Sequence, residues 1–76
     1  MEIKQQEILS IIESVGVSVD VAKIKSDMTF KNAGIDSLEM MNVFLGIEEK
    51  FGIKIPDEEI DALKSIDDII SYFKKL

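Results

Sequence analysis

Between Met40 and Phe51, apolar side chains recur at positions 40, 43, 44, 47 and 51, and this series constrains the fold more than any other feature of the chain. At about 100° per residue, Met40, Val43, Phe44, Ile47 and Phe51 share one narrow face of a helix, the face that turns to a core. A second apolar stripe, Leu38, Met41 and Leu45, lies roughly 130° around the same helix. Glu39, Asn42, Glu49 and Lys50 fill the remaining arc, with Glu48 beside the second stripe. A surface helix of a small domain needs only one buried face. The second stripe is therefore either covered by another element or left open as a docking patch, and the acids that rim it favour docking.

This helix opens at Asp36. An aspartate with Glu39 three residues on is a helix-start signature: one side chain caps a free N–H and the other reaches back. Ser37 then falls in the first turn, beside unpaired backbone N–H groups and the positive end of the helix dipole. A phosphate on its hydroxyl would sit where a helix best tolerates negative charge. Taken alone, Asp36-Ser37-Leu38 is better explained by an ordinary first-turn serine, because the tripeptide is common. At the other end, Gly52 stops the helix.

The remaining elements are shorter. Ile8, Ile11, Ile12 and Val15 predict a first helix from about Glu2 to Val15, with Ile3 and Leu9 flanking its buried stripe and Gly16 ending it. Gly16 to Ile35 reads as a long loop pinned by buried Val19, Ile24, Met28 and Phe30, with a turn of helix near Asp20–Ile24. Ile53-Lys54-Ile55 is an extended link into Pro56. Pro56-Asp57-Glu58-Glu59 starts a short helix, with the proline early in it, that holds only Ile60 and Leu63 as apolar content. Ser65 and Asp68 cap a last helix buried through Ile66, Ile69, Ile70 and Phe73, with Tyr72 at the margin. The fold expected is all-α. It is a small antiparallel bundle of three main helices plus one short helix, with a long first loop, in one domain over residues 1–76.

Composition narrows the function. The 76 residues include no cysteine and no histidine, which removes disulfides, thiolate metal sites and the commonest general base. A self-contained active site is not expected, and no metal site is. No run approaches the ~18 apolar residues of a membrane span, and the first residues lack signal-peptide and transit-peptide order, so the expected location is the cytoplasm. The net charge of −6 is local: Asp36 to Asp61 holds eight acids against two lysines, and elsewhere the signs cancel. Such a surface repels nucleic acid and steers basic protein partners towards it.

Two segments together carry a resemblance. Phe30-x-x-Ala33-Gly34-Ile35-Asp36-Ser37-Leu38 resembles the phosphopantetheine-attachment motif of acyl carrier proteins. Glu48-Glu49-Lys50-Phe51-Gly52-Ile53-Lys54-Ile55-Pro56-Asp57-Glu58-Glu59 is similar to the end of their second helix and the entry to their third. The likeness covers essentially the whole chain. It implies a carrier that is not itself an enzyme, bearing 4′-phosphopantetheine on Ser37, transferred from coenzyme A by a phosphopantetheinyl transferase that Asp36 assists. It further implies a monomer whose partners are acyl-transferring, condensing or ligase enzymes with basic patches. Leu38, Glu39, Met41, Asn42, Leu45, Glu48, Glu49, Asp57 and Glu58 would meet those partners. Met40, Phe44, Ile60 and Leu63 would line an acyl cleft.

Some positions depart from the family pattern. Ala33 stands where leucine is usual, Met40 where a smaller residue is common, Asn42 where an acid is frequent, and Gly46 where alanine is common. If exposed, Gly46 would cost about 1 kcal/mol relative to alanine. These departures point to a specialised carrier beside the housekeeping one. The expected role is fatty-acid or related lipid or polyketide synthesis. An aminoacyl or peptidyl carrier is one alternative, and a helical adaptor without a prosthetic group is another.

Overall fold

The structure, a computed structural model, describes all 76 residues. Four helices form: α1 (Gln5–Ser14), α2 (Ser37–Phe51), α3 (Asp57–Ile60) and α4 (Ile66–Lys74), with a 3-10 turn at Val21–Lys23 between α1 and α2. The only extended pairing is an isolated antiparallel bridge between Thr29 and Ser65. The fold is all-helical, with three principal helices and one short one, as the periodicities predict.

α1 starts three residues later than expected, at Gln5 rather than Glu2, and Val15 is its cap rather than its last residue. Ile3 explains the late start: it lies in extended chain ahead of the helix and is still buried. Glu7 fixes the boundary, its Oε1 accepting the Lys4 N–H at 3.1 Å. Ile8, Ile11 and Ile12 are buried as the pattern requires, each contributing about 1.5–3 kcal/mol on full burial. α1 packs against both α2 and α4, and Phe51 of α2 meets Phe73 of α4 edge to face with ring centres 5.7 Å apart.

The long connection is ordered by backbone bonds as much as by buried side chains. Asp20 caps the 3-10 turn, accepting the Ala22 N–H at 3.0 Å. Further on, the Asp67 N–H donates to the Ser26 carbonyl at 3.0 Å and the Phe30 N–H to the Lys64 carbonyl at 2.8 Å. Ile24 and Phe30 are buried as expected, but Val19 and Met28 are only half-buried. Met28 sits in a turn closed on the Lys25 carbonyl, and Val19 lies across the backbone of Gly34, both near the surface.

α2 buries Val43, Phe44 and Ile47, while Met40 and Phe51 at its two ends are half-buried. Gly52 ends it in the left-handed region at φ 66°, which only glycine enters without strain. Glu48 then binds the departing chain, its Oε2 accepting the N–H of buried Ile55 at 2.6 Å. Pro56 is the residue before α3 rather than part of it, and α3 contains no buried residue: Ile60 is half-buried and Leu63, beyond the helix, is buried. At α4, Ser65 Oγ accepts the Asp68 N–H at 3.2 Å, and Asp68 Oδ2 reaches back to the Lys64 N–H at 3.0 Å. Ile66, Ile69 and Phe73 are buried, whereas Ile70 shares the half-buried margin with Tyr72.

Gly46 is not the exposed helix position that the sequence suggests. A Cβ there would stand 2.9 Å from Ile11 Cγ2 and 3.6 Å from Val15 Cγ1, so glycine lets α1 and α2 approach closely. The methyl it meets is on a β-branched carbon and has little freedom to move. Gly46→Ala gains about 1 kcal/mol of helix propensity but overpacks the contact by about 1–3 kcal/mol. Urea unfolding should show the variant to be less stable than the wild type. In an Ile11→Ala background, where the methyl is gone, the same substitution should be stabilising.

Candidate functional site

The turn ahead of α2 is built from its own backbone. The Ala33 N–H donates to the Thr29 carbonyl at 3.0 Å, Gly34 to Lys31 at 3.1 Å, and Ile35 to Phe30 at 2.9 Å. Thr29 Oγ1 accepts the Asn32 N–H at 3.1 Å. Buried Phe30 and Ile35 root this turn in the core, and Gly34 supplies the positive φ, 88°, that reverses it. The chain therefore arrives at Asp36 in a fixed direction.

Asp36 is the N-cap residue. Its Oδ1 accepts the Glu39 N–H at 2.8 Å, and Glu39 Oε1 accepts the Asp36 N–H at 3.2 Å. The reciprocal cap predicted from the Asp-x-x-Glu spacing is formed. Ser37 is the first helical residue and is exposed, and its hydroxyl makes no hydrogen bond within the chain. The backbone N–H groups of Ser37 and Leu38 likewise have no acceptor in the chain. A free hydroxyl beside two free N–H donors at the positive end of a 15-residue helix suits a phosphodiester.

Ser37 opens onto a groove of about 700 Å³ between α2 and the segment from α3 to Lys64. Met40, Phe44, Ile60 and Leu63 all line it. Phe30 and Ile35 line it too, and the sequence reading did not place them there, although both flank the attachment-like motif. Charged residues, Lys31, Asp57, Asp61 and Lys64, complete the lining along with Asp36, Thr29 and, at the rim, exposed Met41.

On the outer side of α2, Leu38 is 74% exposed, Met41 64% and Leu45 53%. No other element covers this stripe. Asn42, Glu49, Asp57 and Glu58 are exposed around it and on α3. Two of the acids expected on this face differ. Glu39 and Glu48 are half-buried, and their carboxylates hold backbone N–H groups, Glu39 those of Asp36 and Ser18 and Glu48 that of Ile55. The capping half of the Glu39 role was legible in the spacing. The bonds to Ser18 and Ile55 were not, since any residue but proline offers an N–H.

The chain is similar to known proteins. A family model described as the phosphopantetheine attachment site matches residues 6–73. The acyl carrier protein of Campylobacter hominis is 37% identical over 76 residues, spanning all of this chain and 95% of its own length. That of Bdellovibrio bacteriovorus is 38% identical over 66 residues, 86% of this chain and 82% of its own. Among solved structures, the butyryl form of the acyl carrier protein from the actinorhodin polyketide synthase of Streptomyces coelicolor superposes with a TM-score of 0.82. That match covers 99% of this chain and 91% of the other at 17% identity, a likeness of fold. No helix is long and apolar enough to cross a membrane. With the family match running from α1 to α4 and two relatives above 30% identity matched over 82% or more of their length, the chain belongs to the acyl carrier proteins, which bear phosphopantetheine and carry rather than catalyse.

Proposed function

We propose that Ser37 is the residue that takes the phosphopantetheine arm, and that the chain is a carrier for fatty-acid synthesis or a related specialised lipid or polyketide pathway. One observation carries this reading: the free Ser37 hydroxyl stands at the N-terminus of α2 and opens onto the groove. The arm, when bound, supplies a thiol that holds acyl groups as thioesters, a nucleophile this cysteine-free chain lacks. The chain's own residues do the rest. Asp36 caps the turn through Oδ1, and its side chain is exposed beside Ser37, where a transferase can use it. The free N–H groups of Ser37 and Leu38 would hold the phosphodiester at the start of α2. Met40, Phe44, Ile60 and Leu63 give the groove an apolar wall, which favours an acyl over an aminoacyl cargo at about 0.8 kcal/mol per buried methylene.

Attachment is tested directly. With coenzyme A, magnesium and a broad-specificity phosphopantetheinyl transferase, intact-mass measurement should show one phosphopantetheinyl group on the wild type and none on Ser37→Ala. Modification of Ser37→Ala at another of the seven serines would overturn the assignment.

Docking rests on the exposed stripe and the free acids. Glu49→Lys should slow association with a basic partner enzyme, and the wild-type rate should fall as salt rises, because exposed charges are screened. Leu45→Ala should act on dissociation and leave the melting temperature nearly unchanged, since the side chain is half exposed. Glu48→Lys, in contrast, should destabilise the protein by removing the acceptor of the Ile55 N–H.

Met40 reports on the cargo. It is half-buried and lines the groove, so Met40→Ala should lower the stability of the unloaded protein by about 1–2 kcal/mol, less than for a fully buried methionine. Methionine is flexible enough to move aside for a ligand. With a medium-length acyl chain on the arm the deficit should shrink, as read by thermal unfolding of loaded and unloaded forms. An equal deficit in both would make Met40 plain core.

A further inference from the structure

Glu39 differs from every other acid on α2 in that both of its carboxylate oxygens are committed. Oε1 accepts the Asp36 N–H at 3.2 Å, which is all that a helix cap requires. Oε2 accepts the Ser18 N–H at 2.9 Å, reaching a residue 21 positions earlier in the chain. The residue next to Ser18 makes a second contact with the same turn. Val19 Cγ1 lies 3.1 Å from where a Cβ on Gly34 would stand, so the valine packs directly over the glycine backbone. Val17 and Val19 are both half-buried against the core, which anchors the segment that carries Ser18. The loop from Val17 to Val19 thus touches the Ser37 turn on both sides, at Gly34 before the serine and at Glu39 after it.

We propose that Glu39 is a positioning residue: through Ser18 it clamps the long first loop onto the turn that carries Ser37, and so fixes the backbone from which the serine is presented for attachment of its arm. This rests on Ser37 being the attachment residue. It assigns Glu39 a role distinct from the partner contact that its place on α2 suggests. A carboxylate is needed because two N–H donors from different segments converge on it. An amide has one acceptor oxygen, so Glu39→Gln keeps one bond and turns an N–H donor towards the other. Alanine keeps neither.

The test uses the full chain with coenzyme A and a broad-specificity phosphopantetheinyl transferase, together with amide hydrogen exchange of the unmodified protein. Glu39→Gln should speed exchange at the Ser18 or the Asp36 N–H and lower kcat for attachment about three- to tenfold, the worth of one net hydrogen bond. KM for the carrier and its dependence on salt should stay as in the wild type. Glu39→Ala should lose more; should it unfold, Glu39→Gln decides alone. Unchanged exchange at both the Ser18 and the Asp36 N–H in Glu39→Gln, or at Ser18 in a folded Glu39→Ala, would overturn the clamp. A salt-sensitive rise in KM with kcat unaltered would overturn it too, and would make Glu39 a partner contact. Failure of the Ser37 reading would take this proposal with it, but it shows elsewhere: no mass added to the wild type, or mass still added to Ser37→Ala.

Discussion

The hydrogen bond from the Phe30 N–H to the Lys64 carbonyl, beside the bridge of Thr29 with Ser65, is the seam on which the rest of the arrangement depends. It joins the chain entering α2 to the chain entering α4, at the opposite end of these helices from the contact of Phe51 with Phe73. One side of the seam is the turn that aims Asp36 and Ser37, and the other is the segment that closes the groove beyond α3. Buried Phe30 and Leu63 lie at the join, so apolar burial and backbone pairing reinforce each other there. The only buried polar side chain of the protein, Ser65, is at the same place, and it is satisfied by capping α4. A buried polar group tolerated at one point, with its hydrogen bond made, marks where the backbone must be exact in register.

The acidity of the middle of the chain divides into two kinds of carboxylate. Asp36, Glu39 and Glu48 each accept backbone N–H groups that would otherwise lack partners at the start of α2 and in the link after it. Their charge is spent locally, in shaping the chain. Glu49, Asp57, Glu58, Glu59 and Asp61 are exposed and accept no hydrogen bond from the chain. Charge counted along the sequence treats the two kinds alike, and the structure separates them. The field that reaches a partner comes from the end of α2 and from α3, whose Asp57, with Asp61 just beyond, faces the groove that Ser37 opens onto.

Sequence periodicity located the three principal helices because each carries an apolar series: Ile8, Ile11 and Ile12 in α1, Val43, Phe44 and Ile47 in α2, and Ile66, Ile69 and Phe73 in α4, are all buried. The caps at Asp36 and Ser65 were equally legible, since a side chain at fixed spacing is a local signal. What escaped was non-local. Ile3 belongs to the core from outside any helix, Ile55 is buried in a link, and Gly46 is set by a methyl on Ile11 that lies 35 positions away. Six of the fifteen buried apolar residues lie outside α-helices, in chain whose burial follows no period. At the candidate site, Ser37 and the four residues expected at a cleft could be named from the family resemblance, and Met40, Phe44, Ile60 and Leu63 do line the groove. The bond from Ser18 to Glu39 could not, because a backbone donor leaves no trace in the residue type.

α3 gives the groove one wall unlike the others. It is a single turn of four residues with no buried side chain, hung between Ile55, 2% exposed, and Leu63, 6% exposed. Local opening costs least where few apolar contacts must be broken, so this turn belongs to the low end of the stability spectrum, below the core formed by α1, α2 and α4. Its two buried ends set how far it can travel, as hinges set the swing of a shutter. Room in the groove is least costly to gain at this turn, at the periphery of the fold, while the start of α2 is held by the reciprocal cap of Asp36 and Glu39.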